Sequence, residues 1–165
     1  MPQPTATSTV RDERLSLPLE QGVLLWCIRV WVAGLHQDVA TRQRIADMLG
    51  RFGTAEAAPY FDGFMFALSH GATRRIGIQC ICQSSITPDE RLLLDAFGLA
   101  QEARPFEALL LLRGLATPEA ARSALRSAEG LGEAMAGAGR VLPAPDSAVA
   151  RFAMDCGSSA GATLH

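Results

Sequence analysis

The chain has 165 residues, 48% of them apolar and 19% charged, with a formal net charge of −2. That is enough apolar residue for a single hydrophobic core without disulfide or metal staples, and too little positive charge to hold a nucleic-acid backbone through counterion release. All fifteen basic residues are arginine; the lack of lysine excludes Schiff-base chemistry and a Walker-type phosphate lysine, and the lack of asparagine excludes an N-glycosylation acceptor.

In chain order, residues 1 to about 15 are rich in Pro, Thr and Ser, end in a short charge cluster, and carry no apolar stretch of the kind an export signal needs. They read as a flexible N-terminal tail. The first helix is predicted from Pro18 to Leu35, with Ser16 as its N-cap and Gly34 near its stop. Its apolar residues fall on nearly every side, which makes it a central helix, and Arg29 in its middle must either reach solvent along its stem or meet an acid. The oily run Val23 to Leu35, about 13 residues, is shorter than the ~20 a bilayer span requires.

A second helix is expected over Val39 to Phe52, followed by Gly53 as a stop. Thr54 then caps a third, Ala55 to His70, whose Phe61, Phe64, Met65 and Leu68 form one stripe. Between Ile76 and Cys82 the period changes: Ile76, Ile78, Cys80 and Cys82 alternate with Gly77, Gln79, Ile81 and Gln83, the pattern of a short strand. Thr87-Pro88-Asp89-Glu90 is a helix start with a cap, a proline at the first position and the acid of a capping box. That helix is predicted to reach about Ala103. Pro105 breaks it from the next, which carries Leu109 to Leu112, and Thr117-Pro118-Glu119 opens the last, whose Ala120, Ala121, Ala124, Ala128, Gly132 and Ala136 allow a neighbouring helix to approach closely. From Pro143 the Pro-Ala-Pro run and the Gly and Ser that follow read as a C-terminal tail, 143–165. The expected architecture is an all-α compact bundle of about six helices over 16–142, with one strand-like segment at 76–82 and disordered termini.

Four cysteines, Cys27, Cys80, Cys82 and Cys156, in a chain without an export signal point to reduced thiols and a cytoplasmic setting. Two thiolates and an imidazole suit zinc or another transition metal, so Cys80 and Cys82 with His70 form a candidate metal or redox site. Two cysteines one residue apart depart from the usual zinc spacing, and a fourth ligand is not evident. Against it stands a purely structural role, in which both thiols are small apolar residues on the core face of the strand and His70 closes a helix. Residues Arg42 to Phe66 resemble a helix-turn-helix in their first half only; the second half is acidic and aromatic, unsuited to reading DNA. Gly157 to Gly161 matches the pattern of a hydrolase elbow without its strand and helix. Asp62 is expected to face solvent; if buried, it needs Arg29 or Arg74.

The favoured function is a non-enzymatic helical protein-interaction or regulatory domain of a bacterial cytoplasm. A lone strand is a template for pairing, so Ile76 and Ile78 are expected to meet another protein or a second copy of the chain in a homodimer. Val149 and Phe152 in the tail resemble a short docking peptide. The runner-up is the metal or redox protein built on Cys80 and Cys82. No resident cofactor, nucleic acid or membrane partner is expected in the favoured reading.

Overall fold

Because apolar positions recur on more than one side of α1 (Leu19–Ala33), the helix is drawn inward, and no residue from Gln21 to Val32 is exposed. It is one of six α-helices in the computed structural model, which describes residues 13–34 and 39–147. The others are α2 (Val39–Arg51), α3 (Ala58–Gly71), α4 (Pro88–Gln101), α5 (Pro105–Arg113) and α6 (Pro118–Gly137). Single 3-10 turns at Glu13–Ser16 and Ala55–Ala57 precede α1 and α3. The all-α bundle predicted from periodicity is therefore the observed fold, and no described helix is long and apolar enough to cross a membrane.

The deepest helix is α4, buried without interruption from Leu92 to Ala100. Against it, α3 contributes Phe61 and Phe64, whose rings pack on Phe97; the Phe64 and Phe97 centroids are 4.3 Å apart and tilted by 42°. The small residues of α6 do what their size suggests: Ala121, Ala124, Ala128 and Gly132 are buried, and α6 forms its most extensive pairing with α3. A side chain at Gly71 of α3 would run into Ala120. Burying each large apolar side chain stabilises the fold by roughly 1.5–3 kcal/mol before entropy is counted.

Helix starts follow the predicted chemistry where a side chain can reach the backbone. Thr87 accepts from the Glu90 N–H at 3.0 Å while the Glu90 carboxylate accepts from the Thr87 N–H at 2.9 Å, a complete capping box. Thr117 likewise accepts from the Ala120 N–H. Two expected caps differ. Ser16 lies in the 3-10 turn rather than capping α1, whose N-cap is Pro18. Thr54 donates its hydroxyl to the Leu49 carbonyl and precedes the short turn, so that α3 begins only at Ala58. α4 ends at Gln101 because Ala103 adopts a left-handed conformation, φ 57°, without a glycine to announce it.

Residues 143–147, assigned on composition to the C-terminal tail, lie along the bundle as a strap. The Pro143 carbonyl accepts from Gln21, and those of Pro145 and Asp146 accept from Arg104. Gln101 holds the approach, accepting from the Leu142 N–H at 2.6 Å and donating to the Arg140 carbonyl. Gly98 allows this seat, since a Cβ there would overlap the Pro143 carbonyl. Gly98→Val should therefore lower stability by about 1–3 kcal/mol, the usual penalty of overpacking. A lower urea midpoint together with new protease cleavage at residues 140–147 is the expected result; an unchanged midpoint would show that the strap gives way freely.

The segment 76–82 is not a strand. The chain runs from Arg75 to Cys80 without bend or turn and then turns at Ile81 and Cys82; an isolated bridge between Ala72 and Ala116 is the only β pairing among the described residues. The alternation seen in the sequence is nonetheless real, because Ile76 and Ile78 pack on the core. What replaces a neighbouring strand is the start of α4, whose side chains take up the backbone groups of the segment.

Candidate functional site

The loop from Arg74 to Thr87 is held by three acids, Glu13, Asp89 and Glu90, and by two arginines from outside it, Arg14 and Arg29. Arg29, 2% exposed, reaches from α1 to Glu90, which is 0% exposed, with Nε 2.7 Å from Oε1 and Nη2 2.9 Å from Oε2. The same guanidinium donates to the carbonyls of Gln83 and Ser85, each at 2.7 Å. Glu90 in turn accepts from the backbone N–H groups of Gln79 and Thr87. A buried ion pair is stable only when its remaining hydrogen-bonding positions are filled, and here loop backbone fills them. Of the two outcomes open to Arg29, solvent or an acid, the structure shows the second, supplied from a position 61 residues away.

Next to it, Asp89 binds Arg74 through two bonds of 2.9 and 2.6 Å and accepts from the Gly77 N–H at 2.6 Å. Thr87 donates its hydroxyl to the Gly77 carbonyl at 2.5 Å. From the other side, Arg14 donates to the Ile81 carbonyl and Glu13 accepts from the Ile86 N–H. Burial pushes both carboxyls up. For Glu90, the hydrogen bonds from Arg29 and from the Thr87 and Gln79 N–H groups outweigh burial and hold the carboxyl below its ordinary value. For Asp89, Arg74 and the Gly77 N–H do the same.

At the tip of this loop stand Cys80 and Cys82, both exposed, across a turn closed by the Gln83 N–H donating to the Cys80 carbonyl at 3.1 Å. This corrects the expectation that the two thiols line the core face. Cys80 ends the straight run and Cys82 lies in the turn, and both are exposed at the tip of the loop. The two stand on one turn, two residues apart, and influence each other's titration. The neighbouring Cys82 side chain is the first cause lowering the Cys80 thiol below its ordinary value, the Cys82 N–H adds to it, and the Gln83 N–H and side chain contribute against a little desolvation. The Cys80 side chain in turn raises Cys82; desolvation and the charge on Cys80 push the same way, while its own N–H and the Arg14 guanidinium oppose them. Cys27, by contrast, is buried in α1, and burial pushes its thiol up to about 12.

His70 does not join the pair. It ends α3, stacks on Phe66 with centroids 4.0 Å apart, and places Nδ1 3.0 Å from both the Phe66 carbonyl and the Ser69 hydroxyl. Among the described residues no three His, Cys, Asp or Glu side chains converge on a metal position. Asp62 is half-buried and accepts from the Trp31 indole at 3.1 Å, a neutral partner in place of the arginine anticipated for a buried position. Ile76 and Ile78 are half-buried beside the thiols, where they line a cavity of about 230 Å³ with Trp31, Met65, Leu68 and Leu93. Val149, Phe152 and Cys156 lie outside the described residues.

The sequence did not reveal the role of Glu90 beyond its capping box, nor that of Arg29 beyond its need for an acid. Comparison with family models, with curated proteins and with solved structures found no match for this chain.

Proposed function

We propose that this chain is a helical thiol–disulfide exchange protein in which Cys80 is the attacking thiol and Cys82 the resolving thiol. The observation that carries the reading is the placement of two exposed thiols two residues apart on a turn whose flanks are fixed by a buried Arg29–Glu90 pair. In the exchange, the Cys80 thiolate attacks one sulfur of a partner's disulfide, forming a mixed disulfide and releasing the partner's other sulfur as a thiolate. Cys82, after giving up its proton to solvent, attacks the Cys80 sulfur and displaces the second partner thiolate. The chain gains an 80–82 disulfide, the partner gains two thiols after protonation, and two electrons have moved from the chain to the partner. The reverse sequence oxidises a partner. The chemistry belongs to a reducing compartment in which the thiols are regenerated, in keeping with a cytoplasmic setting.

The reading takes up the second of the two functions expected from sequence and gives the loop a chemical task beyond interaction. A soft-metal site on the same two thiolates is the reading it must defeat, with further ligands drawn from a partner or a second copy. Metal content and thiol titration on anaerobically purified protein, compared with Cys80→Ser/Cys82→Ser, separate the two. Two readily titrated thiols lost in the double variant, with no metal, are expected. About one metal per chain or per dimer, lost in that variant, would overturn exchange in favour of a metal centre.

A further inference from the structure

The segment leading to Cys80 has two unlike edges. In a straight, unbent chain the N–H and C=O of one residue point to the same side, and those of the next residue to the other. On one side, the Gly77 N–H and C=O and the Gln79 N–H are taken by Asp89, Thr87 and Glu90. On the other, the N–H and C=O of Ile76 and Ile78 meet no hydrogen-bond partner among the described residues. Half-exposed backbone of this kind is satisfied by water or by an added chain. Beneath the two isoleucines lies the cavity of about 230 Å³ bounded by Trp31, Met65, Leu68 and Leu93, with Arg75 exposed at its rim. An apolar cavity of roughly 150 Å³ accepts benzene, so this one holds a single aromatic or branched aliphatic side chain.

We infer that the exchange partner is an extended peptide segment that adds as a strand along the Ile76–Cys80 edge, with a large apolar side chain seated in the Trp31–Met65–Ile78 cavity. The inference rests on the exchange reading above. Backbone pairing supplies affinity, and the cavity supplies selectivity. Because Cys80 follows Ile78 by two residues on the same edge, the pairing sets the partner's cysteine opposite Cys80 and its apolar residue two positions away. An acidic residue near the apolar one complements Arg75.

The test is disulfide capture under equilibrating 2-mercaptoethanol. The protein carries Cys82→Ser and Cys156→Ser, so that Cys80 is its one exposed thiol among the described residues and Cys27 stays buried. The probes are short synthetic peptides with one cysteine, supplied as its mixed disulfide with 2-mercaptoethanol so that the Cys80 thiolate displaces 2-mercaptoethanol as the leaving thiolate, and, two positions away, phenylalanine, leucine or serine. Mass spectrometry measures the fraction captured. The expected result is about tenfold or greater enrichment of the phenylalanine and leucine peptides over the serine peptide, roughly 1.4 kcal/mol in the exchange equilibrium. N-methylation along one peptide edge should abolish it. So should Ser69→Trp, which fills the cavity from its exposed rim, and Ile78→Ser, with helical circular dichroism confirming that both variants fold. Capture without preference among the peptides, or a preference that survives both variants, overturns the inference and leaves exchange standing. Cys80 linking to a second copy in place of peptide also overturns it, making the edge a homodimer contact. If no mixed disulfide forms with any peptide, the exchange reading and the inference fall together.

Discussion

Replacing Arg29 with alanine should lower the unfolding free energy by about 3–5 kcal/mol, the usual result of leaving one charge of a buried pair uncompensated. The loss is large beside the roughly 5–15 kcal/mol that stabilises an ordinary domain. It has an identifiable origin: the Glu90 carboxylate keeps its place under the loop, and the carbonyls of Gln83 and Ser85 lose the donor they share. Urea denaturation measures it, and a change below about 1 kcal/mol would show that water replaces the guanidinium, contrary to the burial of both partners.

The same pair sets a pH dependence with a definite sign. The folded state holds the Glu90 carboxyl below its ordinary value, so the unfolded chain binds protons more readily in the acid range. The stability contributed by Glu90 is fully present above the unfolded value of about 4.3 and is lost as pH falls through the lower folded value. Asp89 acts in the same direction through Arg74 and Gly77. Arg29→Ala should therefore flatten the acid limb of the stability curve. Arg29→Met with Glu90→Leu should recover part of the lost stability, since apolar replacements of a buried pair are often neutral or better, while leaving the backbone of residues 79–87 without its partners.

The second large effect concerns the thiols. Alkylation of the wild-type chain should fall first on Cys80, with a rate midpoint below the ordinary thiol value of about 8.5. In Cys82→Ala the neighbouring side chain is gone, the midpoint moves back up, and the Cys80 rate at pH 7 falls. In Cys80→Ala the opposite happens at Cys82, whose midpoint falls. Cys27 stays unmodified until the chain unfolds. Equal rates at Cys80 and Cys82, with midpoints indifferent to either replacement, would remove the asymmetry on which attack and resolution are assigned.

How far the sequence foretold this depends on the range over which each feature is decided. Helix starts are settled within four residues, and the residue types of Thr87-Pro88-Asp89-Glu90 are by themselves enough to announce its capping box. The close packing of α6 was legible in its alanines and glycines for the same reason: residue size is a local property with a direct consequence for approach. The loop was harder. Its period of two is genuine at Ile76 and Ile78, but period alone does not distinguish a strand beside another strand from a straight segment beside the carboxylates of a helix start. Both satisfy alternate backbone groups and both bury alternate side chains. The two thiols fall at the exposed tip of the loop, where the chain turns at residues 81 and 82 and the core no longer covers positions that spacing had placed inward.

The site was legible in its parts and not in its assembly. Cys80, Cys82, His70, Ile76 and Ile78 were marked by residue type and spacing, and four of these five meet in one loop. His70 does not, because the end of α3 commits its ring to Phe66 and Ser69. The Arg29–Glu90 pair joins residues 61 apart in sequence, and nothing local to either indicates the other. An arginine inside an oily helix must reach solvent or meet an acid; only the packing of α1 on α4 shows that it meets one, and which.

Titration of the chain against glutathione redox buffers, with acid quenching and peptide mapping, tests the central claim most directly. The account predicts one two-electron transition, loss of two hydrogen atoms per chain, a disulfide between Cys80 and Cys82, and a midpoint more positive than about −300 mV, the limit below which structural disulfides lie. If no 80–82 disulfide forms at any buffer ratio, or the two cysteines only take up glutathione independently, the loop is not an exchange site.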